Sequence, residues 1–206
     1  MKRFAATRAA LSTTLSTALL TAVLAITGCR ASDTESALAT IQAAGGTVNR
    51  DHQGQVVSVD LSDTAATDEE LAAIGVLPSV RTINCTNARQ IKGATLRQLG
   101  GLKNLETLYL VGTDVTDASL AGLEGLTSLK TLHLGRTRIT DAGMPVLDHL
   151  TNLQTLSLGN TEVTDMGLVQ LRDLRHLSTL ILRKTKVTSR GVQELQRMLP
   201  DTRIED

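Results

Sequence analysis

Aromatic residues are nearly absent from this sequence: it has one Phe, one Tyr and no Trp, together 1% of the chain. Protein interfaces draw much of their binding energy from Trp, Tyr and Arg, and single-stranded nucleic acid is held by stacked rings. Their scarcity argues against nucleic acid as a partner. Cysteine is equally sparse, with Cys29 and Cys85 alone. Cys29 closes an apolar N-terminal run, and Cys85 falls at an inward position, where a thiol acts as a small core hydrophobe. If Cys29 is acylated, no thiol pair remains, and packing alone must hold the fold. The chain also lacks a phosphate-binding glycine loop. Its four histidines, His52, His133, His149 and His176, show no metal-ligand spacing, so neither metal nor cofactor is expected.

Net charge is missing too, since 21 basic residues balance 21 acidic ones. The balance conceals a division. Residues 1–29 carry Lys2, Arg3 and Arg8 without an acid, then a run of Ala, Leu, Ser, Thr and Val ending in Ile26-Thr27-Gly28-Cys29. A basic start, a short apolar run and a small-residue end describe an export signal. Taking its three charges from the 21 basic residues leaves 18 against 21 acidic ones, about −3. The last four residues of the run resemble the lipobox of bacterial lipoproteins, which implies cleavage before Cys29 and a lipid on it. The alternative is an uncleaved anchor, for which a run with several Ser and Thr is barely long enough. Arg30 and Ala31 follow without the acidic residue that favours inner-membrane retention in some bacteria. The expected location is therefore the outer membrane or cell surface.

What the chain has in abundance is regularity. Leu102, Leu126, Leu150 and Leu174 are spaced by 24 residues, as are Leu105, Leu129, Leu153 and Leu177. A phrase recurs with them: Thr113-x-Val115-Thr116-Asp117, Thr137-x-Ile139-Thr140-Asp141 and Thr161-x-Val163-Thr164-Asp165. A period of this length is the mark of a solenoid. In each unit Leu-x-Leu reads as a short strand with both Leu inward. Thr-Asp reads as a helix N-cap, and leucines three apart, such as Leu120 and Leu123, as the inner face of a short helix. Pro145 falls inside one such helix, which should start late or form a single turn. Thr113, Thr137, Thr161 and Thr185 follow the strands, where a hydroxyl can bond backbone amides.

Before the regular units, Ser32-x-x-Glu35 reads as a capping box opening a helix over 33–44 that Gly45-Gly46 terminates. Thr47–Arg50 and Gln55–Leu61, on either side of Asp51-His52-Gln53-Gly54, read as a hairpin. A first unit runs from Val56 to Leu77, and a second, 25 residues long, has Lys92-Gly93 in place of Thr-Asp. The last unit loosens at Val187-Thr188-Ser189-Arg190-Gly191, has Met198 where Leu belongs, and ends in Pro200 and a charged tail. The expected architecture is an α/β solenoid of about six coils with an N-terminal helix and β-hairpin cap. Its division is signal 1–29, cap 30–53, repeats 54–199 and C-terminal tail 200–206.

These units resemble leucine-rich repeats, and L-x-x-L-x-x-L-x-L-x-x-T-x-[VI]-T-D-x-G-[LM] in residues 126–168 looks like their bacterial Thr-Asp type, with Thr where Asn is usual after the strand. The resemblance covers residues 54–199 and implies protein binding without catalysis.

Any specificity must lie in what varies between units. Alignment places one outward residue of each strand in a row: Asp60, Asn84, Tyr109, His133, Ser157 and Ile181. This is the candidate concave binding surface, although solvent exposure alone also permits variation. Beside it runs Ser58, Thr82, Thr107, Thr131, Thr155 and Thr179, a hydroxyl ladder that β-propensity explains. His133 beside Ser157 raises a nucleophile–base pair, but no acid stands in the adjacent row to orient it. Asp117, Asp141 and Asp165 raise a calcium ladder, for which helix capping is the better explanation. Acidic residues dominate 33–70, and Arg172, Arg175, Arg183, Lys184, Lys186, Arg190 and Arg197 dominate the last coil. Arg183, Lys184 and Lys186 form a candidate basic patch for an acidic partner, against the alternative of ordinary solvated charge. The leading expectation is a lipid-anchored envelope module that binds a protein of unknown identity and reaches the membrane through Cys29. Cell-wall or surface glycan is the alternative ligand, and a passive module without a ligand the third reading.

Overall fold

The computed structural model describes residues 31–206, which form one eight-stranded sheet whose strands follow each other in chain order. Helix α1 (Ala31–Ala43) buries Ala37 and Ile41 against the first coil. Gly45 turns the chain with φ +85°, and a Cβ on Gly46 would lie 2.6 Å from Leu61 and 2.8 Å from Ile41. Glycine is what lets helix and strand approach there. The Ser32–Glu35 capping box does not form. The helix already includes Ala31, so Ser32 is inside it and its hydroxyl donates to Asp33 instead (3.3 Å).

Strands β1 (Thr47–Arg50) and β2 (Val56–Asp60) make the expected antiparallel hairpin. Its turn is held by Asp51, whose Oδ1 accepts from the amides of Gln53 and Gln55, both at 2.9 Å. From β2 onward the pairing is parallel and in register: β3 (Thr82–Asn84), β4 (Thr107–Tyr109), β5 (Thr131–His133), β6 (Thr155–Ser157) and β7 (Thr179–Ile181). Leu108, Leu110, Leu132, Leu134, Leu156 and Leu158 are fully buried and stack in a continuous core. Each such side chain contributes about 1.5–3 kcal/mol when withdrawn from water, and only a neighbouring coil can withdraw it. Cys85 lies in this core, where burial and the charge of Asp60 push its thiol up to about 12.

The helical side of each coil is short: α2 (Asp68–Ile74), a 3-10 turn over Leu96–Gly101, α3 (Asp117–Leu120), α4 (Met144–Leu147) and α5 (Asp165–Leu168). Before α4 the chain makes a 3-10 turn over Asp141–Gly143, so Pro145 falls in the first turn of a late, single-turn helix.

The C-terminus departs from the expected loose tail. Helix α6 (Ser189–Met198) is the longest of the repeat helices, with Leu195 and Leu199 in the core and Met198 half-buried. After Pro200 the chain comes back as β8 (Arg203–Glu205), parallel to β7. The open edge of β7 recruits it: Leu182 donates to the Glu205 carbonyl (2.7 Å), and Arg203 donates to that of Ser178 (2.8 Å). Seven parallel strands result.

The Thr-Asp phrase works differently from a simple cap. Thr140 and Thr164 cap their own helical turns, accepting from Ala142 and Met166 at 3.2 Å. The preceding Asp reaches across to the next coil. Asp117 accepts from the Thr140 amide (2.8 Å) and hydroxyl (2.7 Å), and Asp141 holds Thr164 at 2.7 and 2.6 Å. Asp165 holds Thr188 at the same two distances. The Thr hydroxyl thus accepts within its coil and donates between coils. The glycine of T-D-x-G makes room for this clasp, since a Cβ on Gly143, Gly167 or Gly191 would sit 2.6, 2.4 or 2.1 Å from the Asp oxygen of the coil before.

Where no such Asp precedes, a local side chain takes its place. In the first coil Glu70 accepts from both the amide (2.7 Å) and hydroxyl (2.9 Å) of Thr67. In the third, the Ser119 hydroxyl accepts from the Thr116 amide (3.0 Å). The coil of β7 carries Ser189 where Asp117, Asp141 and Asp165 stand in others. The turn threonines behave as structural groups, chiefly toward carbonyls, and Thr185 also accepts from the Val187 amide as expected (3.4 Å). Thr113, Thr161 and Thr185 donate to the carbonyl three residues back, at 2.6, 2.6 and 2.7 Å, and Thr137 does the same to Leu134. A carbonyl buried at a strand end is thereby satisfied.

Candidate functional site

The parallel register places Asp60, Asn84, Tyr109, His133, Ser157 and Ile181 side by side, one per strand, as the repeat alignment expects. It adds a seventh member, Glu205, which pairs with Ile181. The row is not uniform. Asp60 turns back to accept from the Ser62 amide (2.8 Å), and Asn84 accepts from the amide (3.0 Å) and hydroxyl (2.7 Å) of Thr86. At the other end Glu205 is held by Arg183 (3.0 Å) and Arg203 (3.1 Å). The middle of the row has the groups with no such local bonds.

There Tyr109 and His133 pack ring against ring, with centroids 4.9 Å apart and planes tilted by 48°. Burial holds the His133 imidazole below its usual value, so it is neutral at physiological pH. Ser157 follows, only 8% exposed, and then the aliphatic Ile181. The next outward positions beside His133 and Ser157 are Gly135 and Gly159. A Cβ on Gly135 would meet the Gly159 carbonyl at 3.1 Å, and one on Gly159 the Arg183 carbonyl at 3.2 Å. Neither position carries a side chain that could cover His133 or Ser157. A half-buried aromatic pair beside an aliphatic neighbour is a surface on which a partner's side chain can pack.

No hydrogen bond joins His133 to Ser157 among the described residues, and no carboxylate orients the imidazole. The parts of a nucleophile–base site are not assembled. Among the described residues no three His, Cys, Asp or Glu side chains converge as a metal site would. The Asp117, Asp141 and Asp165 carboxylates are engaged by threonines.

The basic residues of the last coil do not act as one patch. Arg183 pairs with Glu205 across the concave face, and Lys186 pairs with Glu162. Lys184 points elsewhere, into a groove of about 540 Å³ along the turns that follow the strands. Those turns each hold one residue in the left-handed region: Asp63, Asn87, Gly112, Arg136, Asn160 and Lys184, at φ between 55° and 70°. The 24-residue spacing of these positions was open to sequence reading and went unread, because their residue types differ. Glu205 was missed because three residues after a proline resemble a frayed end. Arg203-Ile204-Glu205 nonetheless lies one period beyond Thr179-Leu180-Ile181. Cys29 and the export signal lie outside the described residues. Among those described, no helix is long and apolar enough to cross a membrane.

Leucine-rich-repeat sequence profiles match residues 127–187, and a two-copy profile matches 103–149. Comparison with curated proteins finds no match. Among solved structures, the chain is similar to an internalin from Listeria monocytogenes, with 24% identity and a TM-score of 0.56 over 66% of this chain and 37% of that one. It is similar to a leucine-rich repeat protein from Leptospira interrogans at 21% identity and a TM-score of 0.53, over 66% of this chain and 33% of that one. Internalin C2 from Listeria monocytogenes aligns at 25% identity and a TM-score of 0.54, over 82% of this chain and 80% of that one. The chain thus spans little more than a third of the first two structures. Repeats of this family serve in general as scaffolds for protein interaction. Strand register, stacked leucines, matched profiles and similar structures agree on one architecture: the described residues form a leucine-rich repeat solenoid.

Proposed function

We propose that the chain is a non-catalytic, lipid-anchored protein-binding module of the cell envelope. The observation that carries the binding reading is the Tyr109–His133 ring pair on the concave face, with Ser157 and Ile181 beside it. The chemistry of this row changes from coil to coil above a core that does not change, and burial holds the His133 imidazole below its usual value. The anchor rests on the sequence Lys2 to Cys29 and its lipobox-like end. With Arg30 alone between Cys29 and Ala31 of α1, a reach of about 3.5 Å per residue, the acidic first coils lie close to the membrane, and the concave face and last coil are presented outward. An acidic protein is the partner class that the basic last coil favours.

A glycan is the second reading, favoured by the Tyr109–His133 ring pair, which offers a sugar a stacking platform. Two experiments separate these possibilities. Binding of the purified protein to a glycan array and to envelope extract is compared with that of a Tyr109→Ala/His133→Ala variant. Discrete protein capture that the variant loses supports the first reading, and selective glycan binding that it loses supports the second. Metabolic labelling with a fatty acid tests the anchor: label present in the wild type and lost in Cys29→Ala supports it, and an unlabelled wild type rejects it.

A further inference from the structure

The groove along the turn side carries a pattern of charge that neither the concave face nor the last-coil patch explains. Two rows of residues line it. The inner row is the left-handed series Asn87, Gly112, Arg136, Asn160 and Lys184. The outer row alternates in sign, with Arg89, Asp114 and Arg138 along the groove and Glu162 and Lys186 continuing the series beyond its lining. Within it Arg138 pairs with Asp114 (2.7 Å) and Lys186 with Glu162. Arg89, Arg136 and Lys184 make no ion pair or side-chain hydrogen bond among the described residues.

These three cations recur on every second coil. Strands are about 4.8 Å apart, so the cations repeat at roughly 9.6 Å, close to one three-residue turn of a polyproline II chain, which returns every third side chain to the same face. A left-handed conformation also opposes any long side chain there. Asn and Asp adopt it readily, whereas Arg and Lys do so at a cost in backbone energy. The same turn is made by Asn87 and Asn160 in neighbouring coils. Folding therefore gives no reason for Arg136 and Lys184, and strain of this kind marks functional positions.

We propose that this groove binds an acidic peptide in the polyproline II conformation whose carboxylates recur at every third residue, facing Arg89, Arg136 and Lys184 in turn. The Asn160 amide, in the coil between Arg136 and Lys184, supplies a hydrogen bond to the peptide backbone. The surface is separate from the concave face, so neither site depends on the other.

The test uses two fluorescein-labelled heptapeptides of equal composition, one with Glu at positions one, four and seven and one with its three Glu together. Anisotropy is read at low salt against the full protein. The spaced peptide should bind more tightly than the clustered one. Arg136→Asn/Lys184→Asn, which keeps a turn that Asn already makes in this chain, should weaken it by at least about ten-fold, equivalent to ~1.4 kcal/mol. The same variant should melt no lower than the wild type. Tyr109→Ala and Arg183→Gln should leave the affinity within about two-fold. Equal binding of the two peptides, or an affinity unchanged in the double variant, overturns the proposal. So does a heparin fragment that outcompetes the spaced peptide, which would make the groove a polyanionic-glycan site.

Discussion

Asp141 links two coils with one carboxylate, and Gly167 leaves the space that it occupies. The pair is a closed chemical unit. Asp141→Ala strips the Thr164 amide and hydroxyl of their acceptor and should cost about 1–3 kcal/mol, read as a lower urea midpoint. Gly167→Ala drives a methyl group to 2.4 Å from the same oxygen, so it should also destabilise. Because both act on one contact, the double variant should lose clearly less than the two single losses added; strict additivity would show that the clasp and the glycine are unrelated. His133 makes a different prediction. Its folded value is depressed by burial from the ordinary 6.5, so the unfolded chain takes up the proton first. Stability is therefore full above that value and falls as pH drops through it. His133→Gln should flatten the decline that sets in as pH falls below 6.5, and a decline unchanged in the variant would assign it to another group.

At the scale of elements, the sequence was most legible where chemistry repeats. Leu-x-Leu marked β4 to β7, Gly45-Gly46 marked the end of α1, and the alternation around Asp51–Gly54 marked the hairpin. Ser32 and Glu35 misled, since a capping box is recognised by spacing while a helix start is decided by what precedes it. Thr-Asp was read as one cap because a single unit does not reveal its neighbour, and the bonds that Asp makes are 23 residues away in sequence. The unit of meaning is thus a pair of coils, as the substitutes Glu70 and Ser119 make plain. Glu70→Ala should cost about 1 kcal/mol, seen as a lower thermal midpoint, because no Asp precedes it to take over. Strand β8 was illegible for the opposite reason: its register comes from the edge it joins and not from its own composition. A chain ending at Asp201 should melt lower and self-associate with concentration, since the edge of β7 is then uncovered. Light scattering would detect this association, and a truncated chain that stayed monomeric at full stability would deny β8 its capping role.

Across the whole molecule, what is uniform belongs to folding and what varies belongs to recognition. The concave row was readable as a row, since register follows from the repeat. Its division into locally bonded ends and a free centre was not, because Asp60, Asn84 and Glu205 are removed by hydrogen bonds and ion pairs that spacing does not encode. The basic end was readable as charge, but its separation into Arg183 on one face and Lys184 in the turn groove required the backbone. In the proposed reading the concave face around Tyr109 and His133 meets another protein. A photo-crosslinking amino acid placed at His133 in cells tests it most directly, with the same group at Met166, which is 77% exposed on the helical side, as the reference. The account predicts a discrete protein adduct from position 133 and none from 166. No specific adduct at 133, or the same adducts from both positions, would contradict it.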